Sequence, residues 1–167
     1  WSNFAKNCLN IVTNSGKMKL KPKRMAAEHA QGRFLDVTKK NLPWVASKPR
    51  LALVSEALRN LKVPVDWPAN VPLDDTSSMK IAEALAVCGD RGMWSMGQLD
   101  LADNYGDLMV SLLRAAGLFL VKCMTPAEVA VAEKALVDAL ANAEILLPMQ
   151  FCTSTNHMML HLCQKVR

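Results

Sequence analysis

The stretch TPAEVAVAEKALVDALANA, Thr125–Ala143, carries the clearest structural signal in the chain. Thr125 is a suitable N-cap, Pro126 fits the first helical position and Glu128 completes a capping box. Apolar residues then recur at helical spacing: Val129, Ala132, Leu136, Leu140 and Ala143. Such spacing is typical of a helix that buries one face. The stretch therefore predicts a long α-helix that begins at Thr125.

The preceding segment, Leu99–Lys122, predicts a second long helix. Its apolar residues fall on more than one face, as they do in helices at the middle of a bundle. The residues that define this pattern are Leu108, Leu112, Ala115 or Ala116, and Phe119. Only Cys123–Thr125 separates the two helices, and helices joined by so short a connection pack side by side in opposite directions. We therefore expect a long antiparallel helix hairpin in the second half of the chain.

Length and composition agree with a helical protein. The chain has 167 residues, enough for one domain that buries about 70% of the surface of its unfolded chain. Apolar residues make up 51% of the chain, which argues against disorder. Aromatic residues make up only 5%, and Met and Ala supply much of the apolar content, which favours helices over strands. We predict an all-α fold, an irregular bundle of about six helices.

A Pro-rich stretch suggests how the chain is divided. Residues 1–62 are predicted to form an N-terminal helical part with a basic connector, and residues 63–75 a Pro-rich linker. Residues 76–167 are predicted to form a helical bundle that ends in a helix containing NHMMLH. Four further helices are predicted outside the hairpin and the closing helix: Ser2–Thr13, Met25–Lys40, Leu51–Leu61 and Met79–Cys88, the last capped by Thr76 or Ser77.

Two other segments are not predicted to be regular helices. Pro43–Pro49, PWVASKP, is expected to be an extended link, because the prolines prevent a helix throughout. Gly89–Gly97 contains three glycines around Trp94 and is expected to be a loosely specified turn.

Positive charge is concentrated near the N-terminus. The formal net charge is +5, and five basic residues lie close together around Pro22: Lys17, Lys19, Lys21, Lys23 and Arg24. Such a run is often a solvated, flexible connector. The alternative is a contact with a nucleic-acid backbone, because closely spaced cations release counterions from phosphate.

The cysteines and the hydropathy pattern bear on the cellular setting. Five cysteines occur without CxxC spacing: Cys8, Cys88, Cys123, Cys152 and Cys163. This pattern argues against a disulfide framework or a Cys-rich zinc site and favours reduced, mostly buried thiols in an intracellular protein. No run of roughly eighteen apolar residues occurs, so we expect no membrane partner. The chain begins at Trp1 without a signal-peptide pattern, and we interpret it as an excised or internal piece.

The last twenty residues contain two histidines one helical turn apart. His157 and His161 follow Asn156 on one helix face, so they could share a partner. Zinc would need a third ligand, for which Cys152 or Cys163 are the nearby candidates, and the glutamate of an HExxH motif is missing. A dyad of one of these cysteines with His157 is another possibility in composition. Spacing alone favours imidazoles at the border of a buried stripe, and we predict no metal in this segment.

The acidic residues form loose groups. Asp74 with Asp75, Asp100 with Asp103, and Asp107 could in principle hold metal ions for phosphoryl chemistry. They lie where helix starts and turns are predicted, and capping is the favoured interpretation. No GxxxxGKS loop or GxGxxG turn occurs, so nothing indicates a Gly-rich nucleotide site.

Three elements together resemble proteins of DNA transposons. They are PWVASKPR at Pro43–Arg50, MKIAEA at Met79–Ala84 and LLPMQFCTSTNHMMLHLCQKVR at Leu146–Arg167. The last resembles a motif of the form P…(T/P)NxHxxLH…(V/L)R, which follows the catalytic core in that group. The resemblance implies an RNase H-like, three-carboxylate transposase of the CACTA or a related lineage, or a gene derived from one.

The resemblance implies that this chain is catalytically incomplete alone. The catalytic acids would lie outside it, so no catalytic residue and no cofactor are expected here, although a divalent ion such as Mg²⁺ is expected for the parent enzyme. DNA and the remainder of the parent chain are the expected partners, and the location would be nuclear. The motif residues are Asn156, His157 and His161. The candidate DNA-binding residues are Lys17, Lys19, Lys21, Lys23, Arg24, Arg50 and Arg167.

Three hypotheses about function follow from these patterns. The first is a helical segment of a transposase-like protein that binds DNA or supports DNA binding. The second is a helical protein-interaction module without a nucleic-acid role, whose Met-rich faces bind a partner helix. The third is a small His/Cys metalloenzyme.

Overall fold

The fold is all-α, as predicted. The computed structural model describes residues 1–38, 40–62, 73, 79–120 and 123–166. Within these residues the chain forms eight α-helices and no β-strand. The helices are α1 Ser2–Val12, α2 Pro22–Ala30, α3 Lys48–Asn60, α4 Ile81–Ala86, α5 Asp90–Gly97, α6 Asp103–Leu118, α7 Pro126–Leu146 and α8 Ser154–Val166. Two short 3₁₀ helices occur at Gly16–Met18 and Met149–Phe151.

The hairpin of α6 and α7 is confirmed, and its two helices pack closely along their length. The hydroxyl of Thr125 accepts a hydrogen bond from the backbone N–H of Glu128 at 3.3 Å, and the Glu128 carboxylate accepts one from the Thr125 N–H at 2.7 Å. This is the predicted capping box. The predicted apolar stripe of α7 is buried throughout: Val129, Ala132, Leu136, Leu140 and Ala143. Local signals in the sequence therefore determine where α7 begins and which face it buries.

Helix α6 is shorter than its predicted extent. It begins at Asp103, because Leu99 is buried in a turn and Asp100 has a left-handed backbone conformation with φ of 49°. A residue in that conformation cannot continue an α-helix. At the other end, Leu118 is the last helical residue, and residues 121–122 lie outside those described.

Helix α1 connects the N-terminal part to the rest of the bundle. It packs against α4, α6 and α8, and its buried side chains belong to the same hydrophobic core as those of the hairpin. Cys8 of α1 and Cys88, just after α4, are both fully buried. Burial raises the pKa of Cys8 well above its usual range and raises that of Cys88 to about 11, so both thiols stay protonated.

One predicted turn is a helix, and the prediction of a loosely specified turn at Gly89–Gly97 was wrong. Helix α5 begins at Asp90, and Gly92, Ser95 and Met96 are buried. A Cβ atom at Gly92 would lie 1.7 Å from the carbonyl oxygen of Val87, so only glycine permits this close approach. Packing therefore outweighs the low helix propensity of the glycines.

The predicted helix Met25–Lys40 is also wrong in extent. Helix α2 begins earlier, at Pro22, and ends at Ala30. Gly32 follows with a φ of 73°, a left-handed conformation that ends the helix at low cost for glycine. The earlier start places Pro22 in the first turn, where its missing N–H costs nothing.

The PWVASKP segment forms the predicted non-helical link, and its Trp44 side chain anchors this link in the core. Trp44 is fully buried, and its ring packs against Phe34 at a centroid distance of 5.3 Å and Tyr105 of α6 at 5.9 Å. Ser47 then caps α3, with Pro49 in the first turn. The link therefore ends earlier than predicted, because α3 begins at Lys48.

The predicted Pro-rich linker, residues 63–75, lies outside the described residues except for Leu73, which is buried. The cap predicted at Thr76 or Ser77 also lies outside them. Buried residues from both sides of this stretch, such as Phe4 and Leu136, belong to one hydrophobic cluster. None of the described helices combines the length and the apolar character that crossing a membrane requires.

Candidate nucleic-acid interface

A wide polar cleft of about 1080 Å³ lies beside the N-terminal half of the chain. Its walls come from α1 and the segment 15–24, and Gln150 and residues 153–155 also line it. Five basic side chains line the cleft: Lys6, Lys17, Lys19, Lys21 and Arg24. None of the described residues that line it is acidic. The cleft therefore concentrates positive charge, which no carboxylate among its described lining residues neutralises.

Hydrogen bonds hold the segment after α1 against that helix. The Ser15 hydroxyl lies 2.7 Å from the Thr13 hydroxyl and donates to the Asn10 side-chain oxygen at 3.1 Å. Asn14, with φ of 48°, accepts a hydrogen bond from the Leu20 backbone N–H at 2.9 Å. A Cβ atom at Gly16 would lie 3.2 Å from the Asn10 amide, and its φ is 54°. These hydrogen bonds therefore hold the segment in a defined turn against α1.

Met18 fixes the orientation of the two lysines beside it. Its side chain is buried, whereas Lys17 and Lys19 are exposed. The backbone carbonyl of Met18 accepts a hydrogen bond from the side-chain amide of Gln150, which is itself buried. This tie joins the basic segment to the short helix that precedes α8. Both lysine side chains are solvated, as the connector interpretation requires, whereas the backbone between them is anchored through Met18.

The start of α2 supplies two more cations. Lys21 occupies the N-cap position of α2 and lines the cleft. The Arg24 guanidinium donates to the Gln150 side-chain oxygen at 3.4 Å, so Gln150 bonds to both Met18 and Arg24. Lys23, the remaining residue of the predicted basic run, is exposed and does not line the cleft.

The wall formed by α1 was missed by the sequence analysis. It presents four polar side chains at helical spacing: Asn3, Lys6, Asn7 and Asn10. They lie opposite the buried face that contains Phe4 and Cys8. The amphipathic pattern of α1 did indicate this polar face, because three asparagines and Lys6 recur on the side of the helix away from its apolar residues.

The start of α8 closes one end of the cleft. Thr153, Ser154 and Thr155 line it, and α8 begins at Ser154 with no acidic residue in its first turn. The first N–H groups of a helix lack partners within the helix and carry partial positive charge. This end of α8 therefore adds to the positive potential of the lysines.

Arg50, like Lys23, was predicted to bind DNA and does not line the cleft. Arg50 donates from Nε to the Gln98 carbonyl oxygen at 2.5 Å and forms an ion pair with Asp100 at 3.0 Å. These bonds tie α3 to the turn after α5 and give Arg50 a structural role within the bundle. Arg167 lies outside the described residues.

The motif residues on α8 have separate environments. Asn156 is buried, and its side-chain amide donates to the Phe151 carbonyl oxygen at 2.5 Å. His157 and His161 are exposed, and their Nε2 atoms lie 3.3 Å apart. Burial of Asn156 and Met159 sets the rotation of α8 about its axis and places both imidazoles at the surface. The structure therefore brings the two histidines together and separates them from Asn156.

A smaller, mainly apolar cavity of about 330 Å³ lies between α7 and α8. Cys152, Glu144 and His157 are among the residues that line it. Partial burial raises the pKa of the Cys152 thiol, and the nearby Glu144 carboxylate raises it further. A raised pKa disfavours the thiolate, so this setting does not activate Cys152 as the nucleophile of a dyad with His157.

The described cysteines and aspartates that were considered as candidate site residues do not line the cleft. Cys123 and Cys152 are exposed, so the expectation of mostly buried thiols holds for Cys8 and Cys88 alone among the four cysteines whose side chains are described. Asp100 lies in a turn and pairs with Arg50 at 3.0 Å, and Asp107 lies within α6 rather than at its start. Asp74 and Asp75 lie outside the described residues.

Comparison of the chain with models of protein families, with curated proteins and with solved structures finds no match in any of the three.

Proposed function

We propose that the chain binds nucleic-acid phosphates in the basic cleft. The observation that carries this proposal is the convergence of Lys6, Lys17, Lys19, Lys21 and Arg24 on one cleft without an acidic neighbour among the described lining residues. These residues come from α1, the turn after it and α2, so the charge is assembled by the fold. A surface of this kind attracts polyanions and is the electrostatic signature of phosphate-backbone binding.

The cleft is suited more to contact with the phosphate backbone of a nucleic acid than to recognition of one small anion. Lys17, Lys19 and Lys21 are exposed, and half-buried amides and hydroxyls such as those of Asn7, Ser15 and Thr153 also line the cleft. Lysines act as point charges toward phosphate, and amide and hydroxyl groups add hydrogen bonds to phosphate and sugar. Each phosphate neutralised contributes about 0.9 to the slope of log K against log salt for duplex DNA.

We propose further that the chain is the helical segment of a transposase-like protein, of the CACTA or a related lineage, or of a gene derived from one. The sequence elements that resemble this group support the proposal. DNA is then the partner of the cleft, the remainder of the parent chain supplies the catalytic carboxylates and binds Mg²⁺, and the protein acts in the nucleus. A reading frame without an upstream Asp-bearing RNase H-like core would contradict this lineage and leave the cleft proposal intact.

The test is binding of a fluorescent random-sequence duplex by the 167-residue chain at several salt concentrations. A triple variant, Lys17→Gln, Lys19→Gln and Lys21→Gln, removes three charges from the cleft. We expect it to bind at least tenfold more weakly at low salt and to reduce the salt slope by about 2 to 3. The matched control, Lys40→Gln, Lys48→Gln and Lys62→Gln, removes three exposed charges that do not line the cleft.

The comparison of the two triple variants decides the proposal. Equal loss of binding in both would show that only net charge matters and would contradict a role for the cleft. Binding that does not depend on salt in the unmodified chain would exclude phosphate contacts altogether.

The second candidate function is a helical protein-interaction module. It is favoured by apolar side chains that α7 exposes to solvent, Val131, Val137 and Ile145, which are between 47% and 72% exposed. Exposed apolar side chains that cluster on one surface often mark sites of association. Val131→Gln with Ile145→Gln, which leaves the net charge unchanged, would abolish such an association and leave salt-dependent DNA binding unchanged.

A further inference from the structure

The two histidines of α8 are held in a defined relative position. Asn156 and Met159 are buried and attach α8 to the bundle, and α8 packs against both α7 and α1. His157 and His161 therefore lie on the exposed side of an anchored helix, one turn apart. The proposed cleft function does not use either imidazole.

The ring nitrogens of the two histidines converge. Their Nε2 atoms are 3.3 Å apart, whereas the ring centroids are 5.0 Å apart and the ring planes are inclined by 78°. The Nε2 atoms therefore lie on the sides of the two rings that face each other. Two Zn–N bonds of about 2.0–2.1 Å at a tetrahedral angle separate their nitrogens by about 3.3–3.4 Å. The observed separation matches that of a tetrahedral chelate.

We propose that His157 and His161 form a two-ligand surface site for a Zn²⁺ ion, bound through both Nε2 atoms with solvent at the other positions. The prediction of no metal in this segment rested on the absence of a third ligand and of a nearby acid. Spacing alone could not show that the two nitrogens already stand at chelating distance.

Binding of the ion replaces the hydrogen bond between the two imidazoles, and two neutral rings can bind it without net loss of a proton. Two neutral imidazoles in contact through Nε2 share one hydrogen, so one ring carries it on Nε2 and the other on Nδ1. For both Nε2 lone pairs to bind the ion, the first ring changes tautomer, and its proton moves to Nδ1 through solvent. Both rings remain neutral, which is the form that ligates metals.

Within the described residues no group of three or more His, Cys, Asp or Glu side chains is placed to hold an ion. The site is therefore a weaker, open one rather than a closed structural zinc site. Cys152 and Glu144 border the same cavity as His157, but the proposal does not require either as a ligand.

The experiment is calorimetric titration of the 167-residue chain with ZnCl₂ in metal-free buffer, with a thiol-blocking control for the exposed cysteines. We expect one ion per chain. His157→Gln and His161→Gln should each weaken binding at least tenfold, because a single imidazole cannot chelate. His29→Gln is the matched control, since His29 lies on α2 and hydrogen-bonds to the Val37 carbonyl at 3.1 Å.

A second measurement reports the ligating atoms directly. Zn²⁺ should shift the ¹⁵N resonances of Nε2 in both histidines, whereas Mg²⁺, which prefers oxygen ligands, should shift neither. Zinc binding that survives in the double variant H157Q/H161Q and disappears in Cys152→Ser would overturn the proposal. Equal affinity of the unmodified chain and the double variant would also overturn it.

Discussion

The α6–α7 hairpin and the basic cleft are held together by different kinds of contact. The hairpin is held by a continuous apolar face, and its capping box lies within four residues of sequence. The cleft depends on a few polar bonds between distant segments, above all the bond from Gln150 to Met18, which are 132 residues apart. The hairpin should therefore control the stability of the whole bundle, whereas the cleft can be disturbed by itself.

Removal of a core side chain from the hairpin should have the largest effect. Leu136 is fully buried on α7, and Leu136→Ala should lower the free energy of unfolding by about 2–5 kcal/mol through lost transfer energy and a residual cavity. Chemical denaturation measures this loss. The neighbouring Val137→Ala, at a position 47% exposed, should change stability within about 0.5 kcal/mol. Similar losses for both variants would contradict the assigned buried face of α7.

The next largest effect is expected at Gln150, one of the residues that line the cleft. Gln150→Ala leaves the Met18 carbonyl without its partner and removes a contact of Arg24, which should cost about 1–3 kcal/mol. DNA binding should weaken beyond what the remaining folded fraction explains, because Lys17 and Lys19 lose their fixed placement. Gln31→Ala, at an exposed position after α2, is the control. Unchanged affinity of folded Gln150→Ala would show that this tie does not position the lysines.

A smaller effect is expected at the cap of α7. Thr125→Ala removes the hydroxyl that accepts the Glu128 N–H and should cost about 1 kcal/mol, whereas Thr125→Ser should retain most of the cap. Hydrogen exchange of the first turn of α7 should accelerate in the alanine variant. DNA binding should not change, because Thr125 does not line the cleft.

The smallest effect is expected in the pH dependence of the free energy of unfolding. Hydrogen bonds from the Thr125 backbone and hydroxyl lower the pKa of Glu128 below its ordinary value of about 4.5. The folded state therefore binds this proton less readily than the unfolded state. The contribution is fully present above about pH 4.5 and is lost as pH falls through the lowered pKa. Denaturation of Glu128→Gln should lack this part of the acid dependence, and an unchanged profile would contradict the capping role.

The two regions also differ in how far the sequence predicts them. The start of α7 and its buried stripe were predictable because Thr125, Pro126 and Glu128 signal through local bonds. The bond between Gln150 and Met18 has no local signal, so the sequence could suggest basic residues but not the cleft that gathers them. The amide stripe on α1 was visible in the sequence, but its place in a cleft was not.

Other differences arise where packing outweighs propensity. Helix α5 was missed because Gly92 weakens a helix in isolation, although the close approach of its backbone to Val87 requires glycine. The spacing of His157 and His161 was clear, but the separation of their Nε2 atoms depends on side-chain rotamers that spacing does not determine. Arg50 was predicted as a DNA contact from its position in a motif, and its bond to Asp100 could not be foreseen from that position.

The rate at which the buried thiols of Cys8 and Cys88 are alkylated can report local opening of the bundle. Alkylating reagents attack thiolates, and both of these groups are enclosed and protonated in the folded chain. The exposed Cys123 should be modified first and Cys152 more slowly, because its pKa is raised, whereas Cys8 should react only when α1 leaves its neighbours. The rate of that slow modification then reports how often α1 detaches, even when detached molecules are too rare to be seen in an equilibrium measurement.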